Sequence, residues 1–187
     1  MINSNEKLLE FLKEDFRKIL NKELDWNQAL YREASLQCIL YNEIRNKLSP
    51  KKYIYPEINY WNYKKNWKSN KADLVILNKW ILDIIKEYKK TDKAFNITEF
   101  KKENYCESII ELKYKSTLWS IKKWIKEDIY VLNNNWNKIK NKILLFIYEV
   151  NKWKEIILED LLDINIIKKI NIIGYTWDWT DLKIIEN

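Results

Sequence analysis

Three charged residues stand inside apolar segments of the sequence. Asp73 opens the run Leu74–Leu77, and Glu111 and Lys113 alternate with Ile110 and Leu112. A buried carboxylate or ammonium is costly unless it is paired or bound to a metal. Carboxylates are the ligands that hard cations prefer in proteins. The pattern therefore predicts a site in which Asp73 and Glu111 hold Mg²⁺ or Mn²⁺, with Lys113 beside them.

Two predicted strands would position these side chains. The segments 72–77 and 108–114 have the length and the apolar character of strands. Residues two apart on a strand share a face, so Glu111 and Lys113 point the same way. Neighbouring strands lie about 4.8 Å apart. Adjacent strands would thus bring Asp73 and Glu111 onto one cation, which would activate a bound water and neutralise charge on a phosphate.

The residue types that the chain lacks exclude several other chemistries. It contains no histidine, which excludes catalytic triads and histidine-bound metals. Its one glycine is Gly174, which excludes a phosphate-binding glycine loop and a dinucleotide-binding turn. Any enzymatic chemistry must come from carboxylates, lysines, tyrosines or hydroxyls.

The hydrophobic periodicity predicts an α/β fold with a central mixed β-sheet of about five strands flanked by helices. No linker or repeat divides the chain, so we expect a single domain over 1–187 with an N-terminal helical segment over about 1–48. Asp25 is the predicted N-cap of the second helix, and Pro56 indicates an edge strand. The predicted helices cover about 5–22, 26–48, 80–90, 117–134 and 153–168, and the predicted strands cover 53–60, 72–77, 108–114, 142–150 and 171–177.

Composition indicates the kind of partner. The formal net charge of +7 and the pI of about 9.1 favour a polyanion, although the abundance of lysine over arginine also fits a biased genome. Only two cysteines occur, Cys38 and Cys106, so no disulfide framework is expected. No apolar leader and no membrane-span candidate is visible, which favours a cytoplasmic protein without a membrane partner.

At Asp73 and Glu111-Leu112-Lys113 the sequence resembles the PD-(D/E)xK nuclease superfamily, whose fold is restriction-endonuclease-like. The resemblance covers roughly residues 30–150. It implies a leading helix, a hairpin that bears the aspartate, a strand that bears Glu-x-Lys, a further helix and a further strand. It also implies metal-dependent hydrolysis of phosphodiester bonds in nucleic acid, most simply DNA. Asp73 is not preceded by the proline that gives the family its name.

The resemblance extends to further residues. Glu33 is similar to the glutamate on the family's first helix, where it would support catalysis with Asp73, Glu111 and Lys113. Glu57 resembles an accessory acidic metal ligand. We expect that nucleic acid would contact residues that follow the Glu-x-Lys strand, namely Lys115, Trp119, Lys122 and Lys123. Because the chain is small, cleavage of a duplex would need two sites, so a homodimer is expected.

Each of these residues also has a plainer interpretation. Glu99-Phe100-Lys101 is a rival Glu-x-Lys within another alternating segment, and Glu87-Tyr88-Lys89 suits a solvated helix face. Glu111 and Lys113 would otherwise form a structural ion pair. Glu33 and Glu57 would otherwise be surface charges. The residues Lys115, Trp119, Lys122 and Lys123 would equally suit an ordinary amphipathic helix.

Asp128 is predicted to be a helix charge that faces Lys122 or Lys123. The second function in view is a catalytically inactive module of this fold that binds nucleic acid or a protein partner.

Overall fold

In the described part of the chain, six strands form one mixed sheet whose spatial order follows the order of the chain, β1-β2-β3-β4-β5-β6. The computed structural model describes residues 1–27, 33–60, 70–78, 106–115, 118–134, 139, 141–149, 170–177 and 182–186. The strands are β1 (Lys52–Tyr60), β2 (Asn70–Asn78), β3 (Cys106–Lys115), β4 (Asn141–Glu149), β5 (Asn171–Trp177) and β6 (Leu182–Glu186).

The strand directions define the architecture. β1, β2 and β3 are antiparallel to one another, β3, β4 and β5 are parallel, and β6 is antiparallel to β5. Parallel neighbours need a crossover on a face of the sheet, and between β3 and β4 that connection contains a helix. β4 lies in the middle, as its continuous apolar sequence predicts. Pro56 lies on β1, an edge strand, as expected because proline cannot donate to a ladder.

The described helices lie before the sheet and within the β3–β4 crossover. They are α1 (Asn5–Glu10), α2 (Phe16–Asn27), α3 (Glu33–Lys47) and α4 (Leu118–Asn134), with a π-helical turn, Phe11–Asp15, joining α1 to α2. Ser4 caps α1 by accepting a hydrogen bond from the Lys7 backbone N–H. None of the described helices is both long and apolar enough to cross a membrane.

The core on one face of the sheet joins the N-terminal helices to alternate strand residues. Leu12 and Phe16 from the first helical segment, and Leu36 and Leu40 from α3, are buried against it. The strands contribute even-numbered positions of β2 and β3 and odd-numbered positions of β4 and β5, namely Leu74, Ile76, Ile110, Leu112, Ile143, Leu145, Ile147, Ile173 and Tyr175. The period of two thus directs one apolar set to these helices.

The other set of strand positions faces the opposite way, where α4 packs against β3 and β4. Val75, Ile109 and Leu144 are buried there, and α4 buries residues at helical spacing, Ile125, Ile129 and Leu132. Glu111 and Lys113 belong to this face by alternation. Charged residues therefore lie on a face that is otherwise buried.

The α/β class and the mixed sheet are confirmed, with two differences in detail. Asp25 does not begin a helix, since α2 continues through it to Asn27. β6 was not predicted, and 171–177 is not the last strand. The predicted helices over 80–90 and 153–168 lie outside the described residues.

Gly174 provides a test of the packing between β4 and β5. It lies beside Phe146 in the parallel register, and a Cβ at Gly174 would overlap the buried Phe146 ring. We expect Gly174→Ala to lower the free energy of unfolding by about 1–3 kcal/mol, because the ring has no space to move into. Chemical denaturation measures this change.

The matched control is Phe146→Leu, alone and with Gly174→Ala. If the overlap causes the loss, the double variant will be less destabilised than the sum of the single variants. Additive losses would show that Gly174 is required for another reason.

Candidate active site

The structure places Asp73 and Glu111 on neighbouring antiparallel strands. Leu74 pairs with Ile110 in the β2–β3 register, and continuing that register by one pair brings Asp73 opposite Glu111. The two carboxyl groups lie close enough for repulsion from Asp73 to raise the pKa of Glu111. The strand adjacency that a shared site requires is therefore present.

Asp73 is held on both its side chain and its backbone. Its Oδ2 accepts a hydrogen bond of 2.7 Å from the backbone N–H of Leu112. Its carbonyl oxygen accepts one of 2.8 Å from Nε2 of Gln37 on α3. Burial raises the pKa of Asp73, whereas the Leu112 N–H and the nearby Lys113 act to lower it. The carboxyl group is thus fixed in place, in an environment that disfavours its charge.

Glu111 is the most deeply buried acidic group of the site. Only 4% of the residue is exposed, and its Oε1 has no hydrogen-bond partner within the described residues. Burial raises the pKa of Glu111 well above its usual value, and repulsion from Asp73 and Asp128 adds to the effect. An unpartnered buried carboxylate oxygen costs stability and marks a place where a ligand or a proton would be bound.

Lys113 lies between two carboxylates that come from different helices. Its Nζ is 3.3 Å from Glu33 Oε1, on α3, and 3.4 Å from Asp128 Oδ2, on α4. The ammonium is also 6.0 Å from the centre of the half-exposed Trp124 ring. Burial alone would lower the pKa of Lys113, but the surrounding carboxylates outweigh it and raise the pKa. Lys113 therefore stays charged at neutral pH.

Among the described residues, one ammonium faces four carboxyl groups at this site. Asp128, Glu33, Asp73 and Glu111 all act on Lys113, so full ionisation leaves the cluster negative. Burial, together with repulsion from Asp73 and Glu33, raises the pKa of Asp128 to about 7, although Lys113 opposes the shift. The cluster thus favours the uptake of protons or of a cation.

The structure brings together Asp73, Glu111, Lys113 and Glu33, the four predicted catalytic residues. Glu57 lies on β1 between Pro56 and Ile58, which pair with Leu74 and Ala72, so its backbone position is opposite Asp73. The Glu57 side chain is outside the described part of the structure, and so it stays a prediction as a metal ligand.

The predicted nucleic-acid contacts are described only in part. Lys123 is exposed on α4. The side chains of Lys115, Trp119 and Lys122 lie outside the described residues, as do the rival motif at Glu99 and the one at Glu87.

Asp128 and Gln37 are site residues that sequence reasoning missed. Asp128 is paired with Lys113 on β3, a contact that the prediction of a helix charge facing Lys122 or Lys123 did not include. The signal was its position three residues after Ile125 and four before Leu132, inside the buried stripe of α4. Gln37 lies four residues after Glu33, which places the two side chains on one face of α3.

The available metal donors are two adjacent carboxylates. Within the described residues, no three Asp, Glu, His or Cys side chains converge as a metal-binding group. Mg²⁺ is typically bound by one or two carboxylates and completes its coordination with water and phosphate oxygens. Asp73 and Glu111 fit that kind of open site.

Comparison of the chain with protein-family models, with curated proteins and with solved structures found no significant match.

The buried acids predict an unusual dependence of stability on pH. When the folded pKa of an acid is raised, the folded state keeps a proton that the unfolded state has lost, so stability falls as pH rises above the unfolded pKa. With EDTA present, we expect the free energy of unfolding to fall between about pH 5 and pH 8, because the pKa values of Glu111 and Asp128 are raised. Denaturation curves at several pH values measure this slope.

Glu111→Gln should flatten the slope by up to about 1.4 kcal/mol per pH unit, the effect of one linked proton. Glu127→Gln, which changes an exposed carboxylate on α4, is the matched control and should leave the slope unchanged. A slope that Glu111→Gln does not alter would contradict the assignment of the linked proton to Glu111.

Proposed function

We propose that this chain is a metal-dependent endonuclease that hydrolyses phosphodiester bonds of nucleic acid, with DNA as its substrate. The observation that carries the proposal is the position of Asp73 and Glu111 on neighbouring strands, with Lys113 two residues further along the strand that bears Glu111. These are the residue types that a phosphate-hydrolysing metal site requires, in one buried cluster.

The carboxylate pair fits a divalent cation on electrostatic grounds. Burial and repulsion from Asp73 both raise the pKa of Glu111, so the protein favours the form of this carboxyl group that holds a proton. A hard cation between them would take the place of that proton and would also satisfy the unpartnered Oε1 of Glu111. Mg²⁺ or Mn²⁺ is therefore the proposed cofactor, and it would supply an activated water and neutralise charge on the phosphate.

Lys113 is suited to the transition state of phosphate hydrolysis. Its ammonium remains charged and is held on the strand that bears Glu111. Such a fixed positive group stabilises the negative charge that develops on the phosphate oxygens. Asp73 is kept in position by Leu112 and Gln37, so the cation ligands and the lysine are oriented before a substrate binds.

The order of elements supports a restriction-endonuclease-like core and membership of the PD-(D/E)xK superfamily as part of the proposal. Helix α3 carries Glu33, the β1–β2 pair carries Asp73, β3 carries Glu111 and Lys113, and α4 leads to the parallel strand β4. The resemblance implies these elements in the same order.

The charge of the rest of the chain supports a nucleic-acid partner. The chain carries a net charge of +7 although the site itself is acidic, so the basic residues lie elsewhere. We place the contacts to the nucleic-acid backbone on Lys115, Trp119, Lys122 and Lys123, after the strand that bears Glu111. A cytoplasmic location and a homodimer that cuts both strands of a duplex complete the proposal.

The test of the function is cleavage of labelled DNA and RNA substrates with Mg²⁺, Mn²⁺ or EDTA. We expect cleavage of DNA that needs the metal, and a loss of about 100-fold or more in Lys113→Ala, because the developing negative charge loses its stabilising cation. Asp73→Asn and Glu111→Gln should abolish the reaction. Lys126→Ala, which removes an exposed lysine of α4, is the control for the loss of a positive charge.

Metal binding provides a second measurement that does not depend on activity. Mg²⁺ or Mn²⁺ should raise the melting temperature of the wild-type protein, and Glu111→Gln should lose that response. If the protein binds DNA but neither cleaves it nor responds to metal, the alternative is supported, a catalytically inactive module that binds nucleic acid or a protein partner.

A further inference from the structure

The two acidic partners of Lys113 differ in their surroundings. The side chain of Asp128 is 14% exposed, close to the 13% of Lys113, whereas that of Glu33 is 37% exposed. Both carboxylates lie at nearly the same distance from the ammonium, 3.4 Å and 3.3 Å. The contacts are therefore similar in geometry but unequal in their access to water.

Asp128 has few alternatives to its contact with Lys113. It lies within the buried stripe of α4, beside Ile125 and Ile129, and apart from the Lys113 ammonium its Oδ2 has no polar partner among the described residues. Separating the pair would leave a charge buried without a partner, which is strongly destabilising. The contact of Asp128 with Lys113 is thus the one that the fold retains.

Glu33 can leave Lys113 at a lower cost. It is the first residue of the described helix α3, and more than a third of its side chain meets water. Ion pairs with this degree of exposure contribute little to stability, since water solvates the released carboxylate. An incoming anion can therefore replace Glu33 on the ammonium.

A substrate phosphate would need a positive group to bind in this site, but the Lys113 ammonium is already paired with two carboxylates. We propose that Asp128 is the fixed partner that positions Lys113, and that Glu33 is the exchangeable partner whose carboxylate gives up the ammonium to a phosphate oxygen of the substrate. The inference rests on the proposed function, since it assigns roles around the same lysine. Asp128 acts through Lys113 and is a positioning residue, and Glu33 occupies the phosphate position in the free protein.

The two roles predict that neutralising Glu33 changes DNA binding, whereas neutralising Asp128 changes the cleavage rate. Glu33→Gln removes a competitor of the phosphate, so DNA should bind more tightly, by about two- to fivefold, the range expected for an exposed ion pair. Asp128→Asn leaves the ammonium without its fixed partner, so the cleavage rate should fall by about 10- to 100-fold while DNA affinity changes little.

The experiment measures binding and catalysis separately on the whole chain. Equilibrium binding to a fluorescein-labelled DNA in EDTA gives the Kd, and single-turnover cleavage with Mg²⁺ gives the rate of the chemical step. The variants are Glu33→Gln, Asp128→Asn and Asp128→Glu, with Glu127→Gln as the control for removing one exposed negative charge near the site. Melting curves verify that each variant is folded.

Tighter binding by Glu33→Gln than by Glu127→Gln, together with a slower rate in Asp128→Asn that Asp128→Glu partly restores, supports the assignment. Equal binding changes in Glu33→Gln and Glu127→Gln would overturn the exchange, because the effect would then be general repulsion. An unchanged rate in Asp128→Asn would overturn the positioning role. Because binding is measured in EDTA, the exchange is tested even if the wild-type protein does not cleave, an outcome that would refute the proposed function alone.

Discussion

The pairing of β2 with β3 puts two buried carboxyl groups in contact, and much of the surrounding structure holds them there. Asp73 and Glu111 would separate if only their charges mattered, since repulsion from Asp73 raises the pKa of Glu111. The strand register, the Leu112 N–H and the Gln37 amide fix the Asp73 side of the pair. The packing of helices on both faces of the sheet therefore maintains an arrangement that is unfavourable in isolation.

A polar network near the opposite end of the strands shows how buried polar side chains can be satisfied entirely by one another. Ser108 donates to Asn5 Oδ1 at 3.1 Å and accepts from Asn141 at 2.8 Å, and Asn171 donates to Asn141 Oδ1 at 3.1 Å. These neutral groups join α1 to β3, β4 and β5. Buried polar networks stabilise a fold when their members are satisfied. The cluster around Glu111 differs, because it is charged and because Glu111 Oε1 has no hydrogen-bond partner among the described residues.

Much of the fold was predictable because the spacing of apolar residues in each element matches the faces that the element buries. The strands that carry Asp73 and Glu111 are buried on both faces, so their apolar runs are long and the charged residues inside them are conspicuous. Asp128 was missed because a single charged residue among the apolar residues of a helix is common. The sequence also does not show which neighbouring residue faces it. β6 was missed because 182–186 follows a segment with no clear turn signal. The ion pair between Glu33 and Lys113 joins residues that are 80 positions apart in the sequence, and only the fold brings them together.

The electrostatics of the site and those of the whole chain have opposite signs, and this difference limits what can bind. A polyanion is attracted by a chain with a net charge of +7 but is repelled by four carboxyl groups around one ammonium. A neutral ligand would gain little from either feature. A divalent cation removes the conflict, since it neutralises the acids and presents positive charge to a phosphate. An acidic cluster within a basic chain is thus consistent with the proposed uptake of a cation before a phosphate binds, and among the described residues of the cluster Lys113 is the one that carries a positive charge.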